Sequence, residues 1–162
     1  MSDSPSRIRI YRATPADASA VASVLYDSFV EYRPLYTGGG FTATTPSAGT
    51  IEQRFNEGPV WVAVIGEEIV GTVAAVPMEK GLYVRSMAVL PLARGQGIGV
   101  ALLRQVEHYA REQGCSRMFL STTPFLEGAI RLYEKYGFRR RNTGPQDLFG
   151  TPIFSMEMRL TV

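Results

Sequence analysis

Alternating apolar and polar runs at the two ends of the chain enclose stretches whose apolar positions recur every three or four residues, a pattern of strands interleaved with helices. Ile8-Arg9-Ile10-Tyr11-Arg12 predicts a first strand with one buried face. Thr14-Pro15-Ala16-Asp17 then offers a capping hydroxyl, a proline suited to the first helical position and an acid three residues after the cap. Ala18, Val21, Leu25 and Phe29 continue as one apolar stripe, that of a helix packed on a sheet. The period is lost from Tyr32 to Ser47, where Tyr32, Arg33, Pro34, Tyr36 and Phe41 are interleaved with Gly38-Gly39-Gly40, and a mobile loop is expected. Ser47 to Phe55 predicts a short helix with Ile51 and Phe55 on one face, ended before Pro59.

The β pattern resumes in Val60 to Ile65 and Ile69 to Val76, joined by a hairpin turn at Gly66-Glu67-Glu68, and again in Leu82 to Leu90. Ile98, Leu102, Val106 and Tyr109 mark one face of a helix, opposite Arg104, Arg111 and Glu112, and Gly114 ends it. Cys115 to Thr122 predicts a strand, and Pro124 separates it from a last helix around Glu127 to Tyr136. Phe138 to Asn142 and Ile153 to Leu160 predict two closing strands, with a long Gly-Pro-Gln-Asp-Leu-Phe-Gly connection between them. This order fits an α/β (α+β) fold, a mixed sheet with helices on both faces, over a single domain spanning residues 1–162. That length buries a core without disulfides or metals.

Composition narrows the chemistry. One cysteine, Cys115, forms no internal disulfide and reads as a small apolar residue, and one histidine, His108, stands on the polar side of its helix. No metal site is expected from so few ligands of the usual types. A formal charge of +2 does not suggest a nucleic-acid partner, and Arg139-Arg140-Arg141 reads first as a solvated run. The polar start, Met1 to Arg7, lacks the apolar core of a signal peptide, and no apolar run reaches membrane-spanning length. A cytoplasmic protein without a membrane partner is expected.

The chemistry concentrates in Val84 to Leu103, where an apolar strand passes through Leu90-Pro91 into Arg94-Gly95-Gln96-Gly97-Ile98-Gly99 and so into a helix. Alternating glycines at a helix start bare backbone N–H groups to an anion such as phosphate. A dinucleotide fingerprint from Gly95 or Gly97 needs glycine where Val100 or Leu102 stands, and a Walker A loop needs a Gly-Lys pair that the chain lacks. What remains, Arg-x-x-Gly-x-Gly after a strand ending Met87-Ala88-Val89-Leu90-Pro91, resembles the GNAT superfamily of N-acetyltransferases. Ala129-Ile130-Arg131-Leu132-Tyr133-Glu134-Lys135-Tyr136-Gly137-Phe138 resembles the family's final helix and the turn after it.

The resemblance implies a mostly antiparallel sheet of about seven strands, splayed between the fourth and fifth to take acetyl-CoA as cosubstrate. It implies that Met87, Ala88 and Val89 pair with the pantetheine arm and that Arg94, Gly95, Gln96, Gly97, Ile98 and Gly99 hold the pyrophosphate. A primary amine, on a small molecule or a protein terminus, would attack the thioester directly in a ternary complex, with Tyr133 as general acid. Relatives are often dimers, which implies a homodimer as one state of this chain.

The chain also departs from the pattern. Many relatives carry a carboxylate on or near the fourth strand, whereas Leu82 to Val89 holds none and has Arg85 instead; Glu79 and Glu31 are the candidates for a base acting through water. Arg33 and Tyr36 are candidates for walling the acceptor site, Arg85 for binding a carboxylate on the acceptor, and Leu126 stands where relatives often place asparagine. The missing carboxylate keeps a second reading open, a catalytically silent CoA-binding regulatory or interaction module.

Overall fold

Ile8–Arg12 (β1), Val60–Ile65 (β2), Glu68–Met78 (β3), Gly81–Val89 (β4), Arg117–Thr122 (β5), Arg139–Arg140 (β6), Gln146–Leu148 (β7) and Thr151–Arg159 (β8) form the strands of the computed structural model. It describes residues 7–79 and 81–161, so the start of the chain, Met1 to Ser6, on which the signal-peptide expectation largely rests, lies outside the described residues. The strand order is β1-β2-β3-β4-β5-β8-β6, with β7 also paired to β8. All pairs are antiparallel except β4 with β5. The helices are Ala18–Phe29 (α1), Gly38–Thr44 (α2), Ala48–Arg54 (α3), Ile98–Glu112 (α4) and Glu127–Tyr136 (α5).

The stripes read from the sequence cover the two faces of this sheet. Ala18, Val21 and Leu25 of α1, with Ile51 of α3, pack on Val62, Val64, Ala74 and Ala88. On the opposite face Ile98, Leu102 and Val106 of α4 pack on Ala63, Val73 and Val84. Each such side chain, fully buried, contributes about 1.5–3 kcal/mol relative to an exposed one, so α4 is anchored by burial along its whole length. The expected capping box at Thr14 forms, its backbone N–H donating to Asp17 Oδ2 at 2.9 Å, but the first turn is a 3-10 turn, Pro15–Asp17, before α1 proper.

Two expectations are corrected. The segment from Tyr32 to Ser47 is not a loop: it holds a 3-10 stretch, Val30–Leu35, followed by α2. Three consecutive glycines enter a helix here, and tertiary packing requires two of them, Gly39 and Gly40. A Cβ on Gly40 would run into the Thr151 side chain, and one on Gly39 would lie 2.8 Å from Phe149 Cβ. The β7–β8 hairpin therefore leans directly on α2, and Thr37 caps that helix while donating its hydroxyl to Phe149 O at 2.7 Å. The second correction lies in the tail, where β6 is only two residues long and the Gly-Pro-Gln-Asp-Leu-Phe-Gly connection contains β7. The count is therefore an eight-stranded sheet.

The β4–β5 pair decides where a ligand can enter. Among the described residues of β4, only Gly81, Leu82 and Tyr83 pair with β5, opposite Arg117, Met118 and Phe119. Beyond them β4 carries a bulge: Ala74 faces Arg85 but Thr72 faces Ala88, leaving an extra residue on β4. Ser86 sits in it at φ +53°, a conformation uncommon for a residue with a side chain. A bulge bends its strand and increases the local twist. The two parallel strands thus part after Tyr83, and the edge of β4 from Ser86 to Val89 has no strand partner on that side among the described residues.

Candidate active site

The parting strands open a cleft of about 500 Å³ between the end of β4, the glycine loop, the first turn of α4 and the inner face of α5. Met87, Ala88 and Val89 line it from β4, Gly95, Gly97, Ile98 and Gly99 from the loop and helix, and Tyr133 from α5. Ser28, Phe29 and Tyr32 close the α1 side. An extended chain laid along β4 here would meet backbone groups that have no strand partner among the described residues on that edge.

The loop's geometry suits an anion. Gly95 and Gly97 adopt φ of +81° and +84°, the left-handed region that favours glycine, and a Cβ on either would meet nothing within 4 Å. The open space matters more than the strain, because it lets an anion reach the helix end. The first intrahelical bond is Ala101 N to Gly97 O at 3.0 Å, so the N–H groups of the preceding turn are free of helix partners and sit at the positive end of a 15-residue helix. Gly99 serves packing instead, since its Cβ would lie 2.7 Å from Leu132 Cδ2 and force that α5 side chain to shift.

Tyr133 is buried at 8% exposure, its ring edge-on to Phe138 at 5.9 Å. Burial, with a smaller contribution from nearby Tyr36, pushes its phenol up to about 12. The hydroxyl stays protonated and available as a donor throughout the working pH range. Ser28, at 1% exposure, brings a second hydroxyl to the cleft, one with no hydrogen-bond partner among the described residues.

Residues 24–138 match the family model described as Acetyltransferase (GNAT) family. The chain belongs to the GNAT acetyltransferase family. It is 32% identical over 133 residues to an uncharacterized N-acetyltransferase, YjgM, of Escherichia coli strain K12, covering 78% of this chain and 79% of that protein. N-acetyltransferase 8B of Rattus norvegicus is 42% identical over 86 residues, which are 49% of this chain but only 39% of the rat protein. The chain thus matches about two fifths of that relative's length. Among solved structures, the PaiA N-acetyltransferase of Thermoplasma acidophilum in complex with coenzyme A superposes with a TM-score of 0.79 at 16% identity, over 95% of this chain and 99% of the other. A ribosomal-protein-alanine N-acetyltransferase of Brucella melitensis gives 0.74 at 26% identity, over 94% and 99%.

Within this GNAT domain the sequence-predicted residues divide into those the fold brings together and those it does not. Met87, Ala88, Val89, Gly95, Gly97, Ile98, Gly99 and Tyr133 all face one cleft, whereas Gln96 is exposed on the loop and outside its lining. Arg94 lines the cleft, but its guanidinium is engaged by protein: Nε donates to Val89 O at 3.1 Å, Nη1 to Glu31 Oε1 at 2.8 Å and Nη2 to Ser28 O at 3.0 Å. It fastens the loop to the ends of β4 and α1. Glu31 is accordingly an ion-pair partner of Arg94. Glu79 is not brought to the cleft at all. It stands exposed in the turn before Gly81, at the far end of β4, with about 20 Å of strand between that turn and Met87. Among the described residues no carboxylate lines the cleft.

Tyr36 is buried beside Phe125 at 4.8 Å and Phe41 at 5.9 Å between ring centres, and Tyr32 reaches Phe125 at 6.2 Å. Burial raises the Tyr36 phenol as well. Arg33 is exposed, its guanidinium 5.1 Å from the Phe41 ring centre. Sequence reading missed Ser28, Phe125 and Arg54. Ser28 and Phe125 carry no local signal, and Arg54 falls on the polar side of a short helix whose pattern marks only Ile51 and Phe55. His108 pairs loosely with Glu112 at 3.7 Å on the exposed face, the half-buried Cys115 thiol is pushed up by burial, and neither residue lines the cleft.

Proposed function

We propose that this domain transfers an acetyl group from acetyl-CoA to a primary amine by direct attack within a ternary complex. The observation that carries this reading is the convergence of an unpaired β4 edge, an anion-binding helix start and a protonated phenol on one cleft. Coenzyme A matches these features in order. Its pyrophosphate suits the N–H groups after Gly97, its amide-bearing pantetheine arm suits the β4 edge from Met87 to Val89, and the thioester then lies toward Tyr133 and the aromatic cluster of Tyr32, Tyr36 and Phe125. Arg94 contributes by holding the loop in place. Similarity to the PaiA protein, whose structure holds coenzyme A, supports the same assignment.

In the reaction the neutral amine nitrogen bonds to the thioester carbon, and the C–S bond breaks with its electron pair going to sulfur. The departing thiolate takes a hydrogen bond and then a proton from Tyr133, while the N–H proton shed by the new amide passes to water and so restores the phenol. A phenol near 12 is a weaker acid than a thiol near 8.5, so during C–S cleavage Tyr133 acts as a hydrogen-bond donor to the developing thiolate, and net protonation is completed as water returns a proton to the phenol. Backbone N–H groups near Met87 to Val89 are the donors for the tetrahedral oxyanion. With no carboxylate lining the cleft, the ammonium loses its proton to water before attack. Initial-rate kcat/KM should therefore rise about tenfold per pH unit below the acceptor's own pKa and level off above it. Release of CoA thiol from acetyl-CoA across a panel of amines tests the assignment; CoA binding without turnover over a broad panel would establish the silent binding module instead.

A further inference from the structure

Next to the cleft, on the strand that lines it, two arginines from different elements meet without enough negative charge to match them. Arg54, at the end of α3, donates from Nη1 to Ser86 Oγ at 3.1 Å, and Ser86 is the bulge residue immediately before Met87. Arg85 stands beside it on β4, with Nη1 3.3 Å from Glu57 Oε1. Its Nε is buried with no hydrogen-bond partner among the described residues. Burial first, and then the neighbouring Arg85 charge, lower the Arg54 pKa, while Glu57 offsets this only in part. Two guanidiniums thus share one carboxylate that is itself half exposed. A fold that turns a buried guanidinium N–H toward no acceptor, beside a second cation, has the chemistry of an anion site.

We propose that Arg85 and Arg54, set by the Ser86 bulge, bind a carboxylate of the acceptor, so that the natural acceptor is a small amine bearing a carboxylate a few bonds from its nitrogen. This deepens the acetyl-transfer reading and rests on it. The spacing carries the size. Arg85 precedes Met87 by two residues, about 7 Å of strand, and the pantetheine arm assigned to the Met87–Val89 edge brings its thioester to the Met87 end of that edge, toward Tyr133. An amine must come within about 3.5 Å of the thioester carbon to attack, which leaves room for a few bonds between nitrogen and carboxylate. Planar guanidiniums select a carboxylate over a carboxamide, because the amide's NH2 would face N–H donors.

The test compares each amino acid with its own primary amide: glycine with glycinamide, β-alanine with β-alaninamide, phenylalanine with phenylalaninamide, with rates referred to unprotonated amine. At least one carboxylate should exceed its amide by about tenfold to a hundredfold in kcat/KM, chiefly through KM, and Arg85→Gln and Arg54→Gln should each collapse that ratio about tenfold or more. Arg85→Lys should restore part of it. Calorimetry with CoA present gives a readout independent of turnover: N-acetylglycine should bind about tenfold more tightly than N-acetylglycinamide, and Arg85→Gln should erase the difference. CoA affinity of each variant reports that the cleft is intact. A wild-type protein that prefers amides, or ratios that survive both arginine substitutions, overturns the carboxylate site. Absence of turnover with every amine overturns acetyl transfer alone, and the calorimetric comparison still decides the site.

Discussion

Tyr133→Phe isolates the one chemical group on which turnover is predicted to depend. The ring is buried and edge-on to Phe138, and phenylalanine keeps that contact while deleting the hydroxyl. What is lost is a donor to a thiolate that exists only as the C–S bond breaks. A hydrogen bond to a charged group contributes about 1.5–3 kcal/mol, which corresponds to roughly a 10- to 150-fold fall in kcat. The ground state makes no use of that bond, so CoA affinity and melting temperature should change by no more than the equivalent of about 1 kcal/mol. Steady-state thiol release with saturating acetyl-CoA measures kcat, and calorimetry with CoA supplies the binding control. Since burial raises the phenol to about 12, the wild type should also show no loss of kcat from Tyr133 ionising below about pH 11. Full kcat in the phenylalanine variant would reduce the residue to packing. Joint loss of stability and CoA affinity would assign the hydroxyl to the scaffold.

Gly97→Asp places a side chain at φ +84° and a negative charge where the pyrophosphate is assigned, so CoA affinity should fall at least about a hundredfold while the protein stays folded; unchanged affinity by calorimetry would remove the phosphate assignment. Arg94→Ala removes all three contacts that hold the loop, and because the group is 40% exposed the expected cost is only about 1 kcal/mol of stability, with a rise in the acetyl-CoA KM of roughly three- to tenfold. An unaltered KM with lowered stability would confine Arg94 to the scaffold. Tyr136 donates to Glu107 Oε1 at 2.6 Å, and although burial opposes ionisation, that bond and Arg111 lower the Glu107 pKa below its ordinary 4.5. The carboxylate's contribution is therefore present above about pH 4.5 and lost as pH falls through the lower folded value; Tyr136→Phe should reduce stability at pH 7 by about 1 kcal/mol and narrow its difference from wild type below pH 4. A stability difference independent of pH in urea titrations would count against the coupling.

What the chain spelled out locally was everything governed by short-range periodicity and turn chemistry. The 3.6-residue stripes of α1 and α4 became the two core faces, and the alternation and punctuation of Val60 to Leu90 became a three-stranded meander, because one buried face per element is a demand each segment meets by itself. Gly95 and Gly97 were legible for the same reason, as their positive φ is a property of the backbone at that spot. Tyr133 came from its place in a motif, and the structure set it in the cleft. Tertiary packing alone decided the rest. Gly38-Gly39-Gly40 has poor intrinsic helix propensity, and it stands in α2 where a hairpin more than a hundred residues later leaves no room for side chains at Gly39 and Gly40. Arg94's bonds to Glu31 and to the Ser28 carbonyl come from the end of α1, more than sixty residues earlier, which no local pattern around the glycine loop announces. Glu79 and Arg85 lie close in sequence on either side of a turn, yet a strand rises by about 3.3 Å per residue, so one stays at the far end while the other reaches the bulge beside the cleft. The meeting of Arg85 with Arg54, 31 residues earlier, needs the sheet and α3 in place, since charge pairing across separate elements leaves no trace in local pattern.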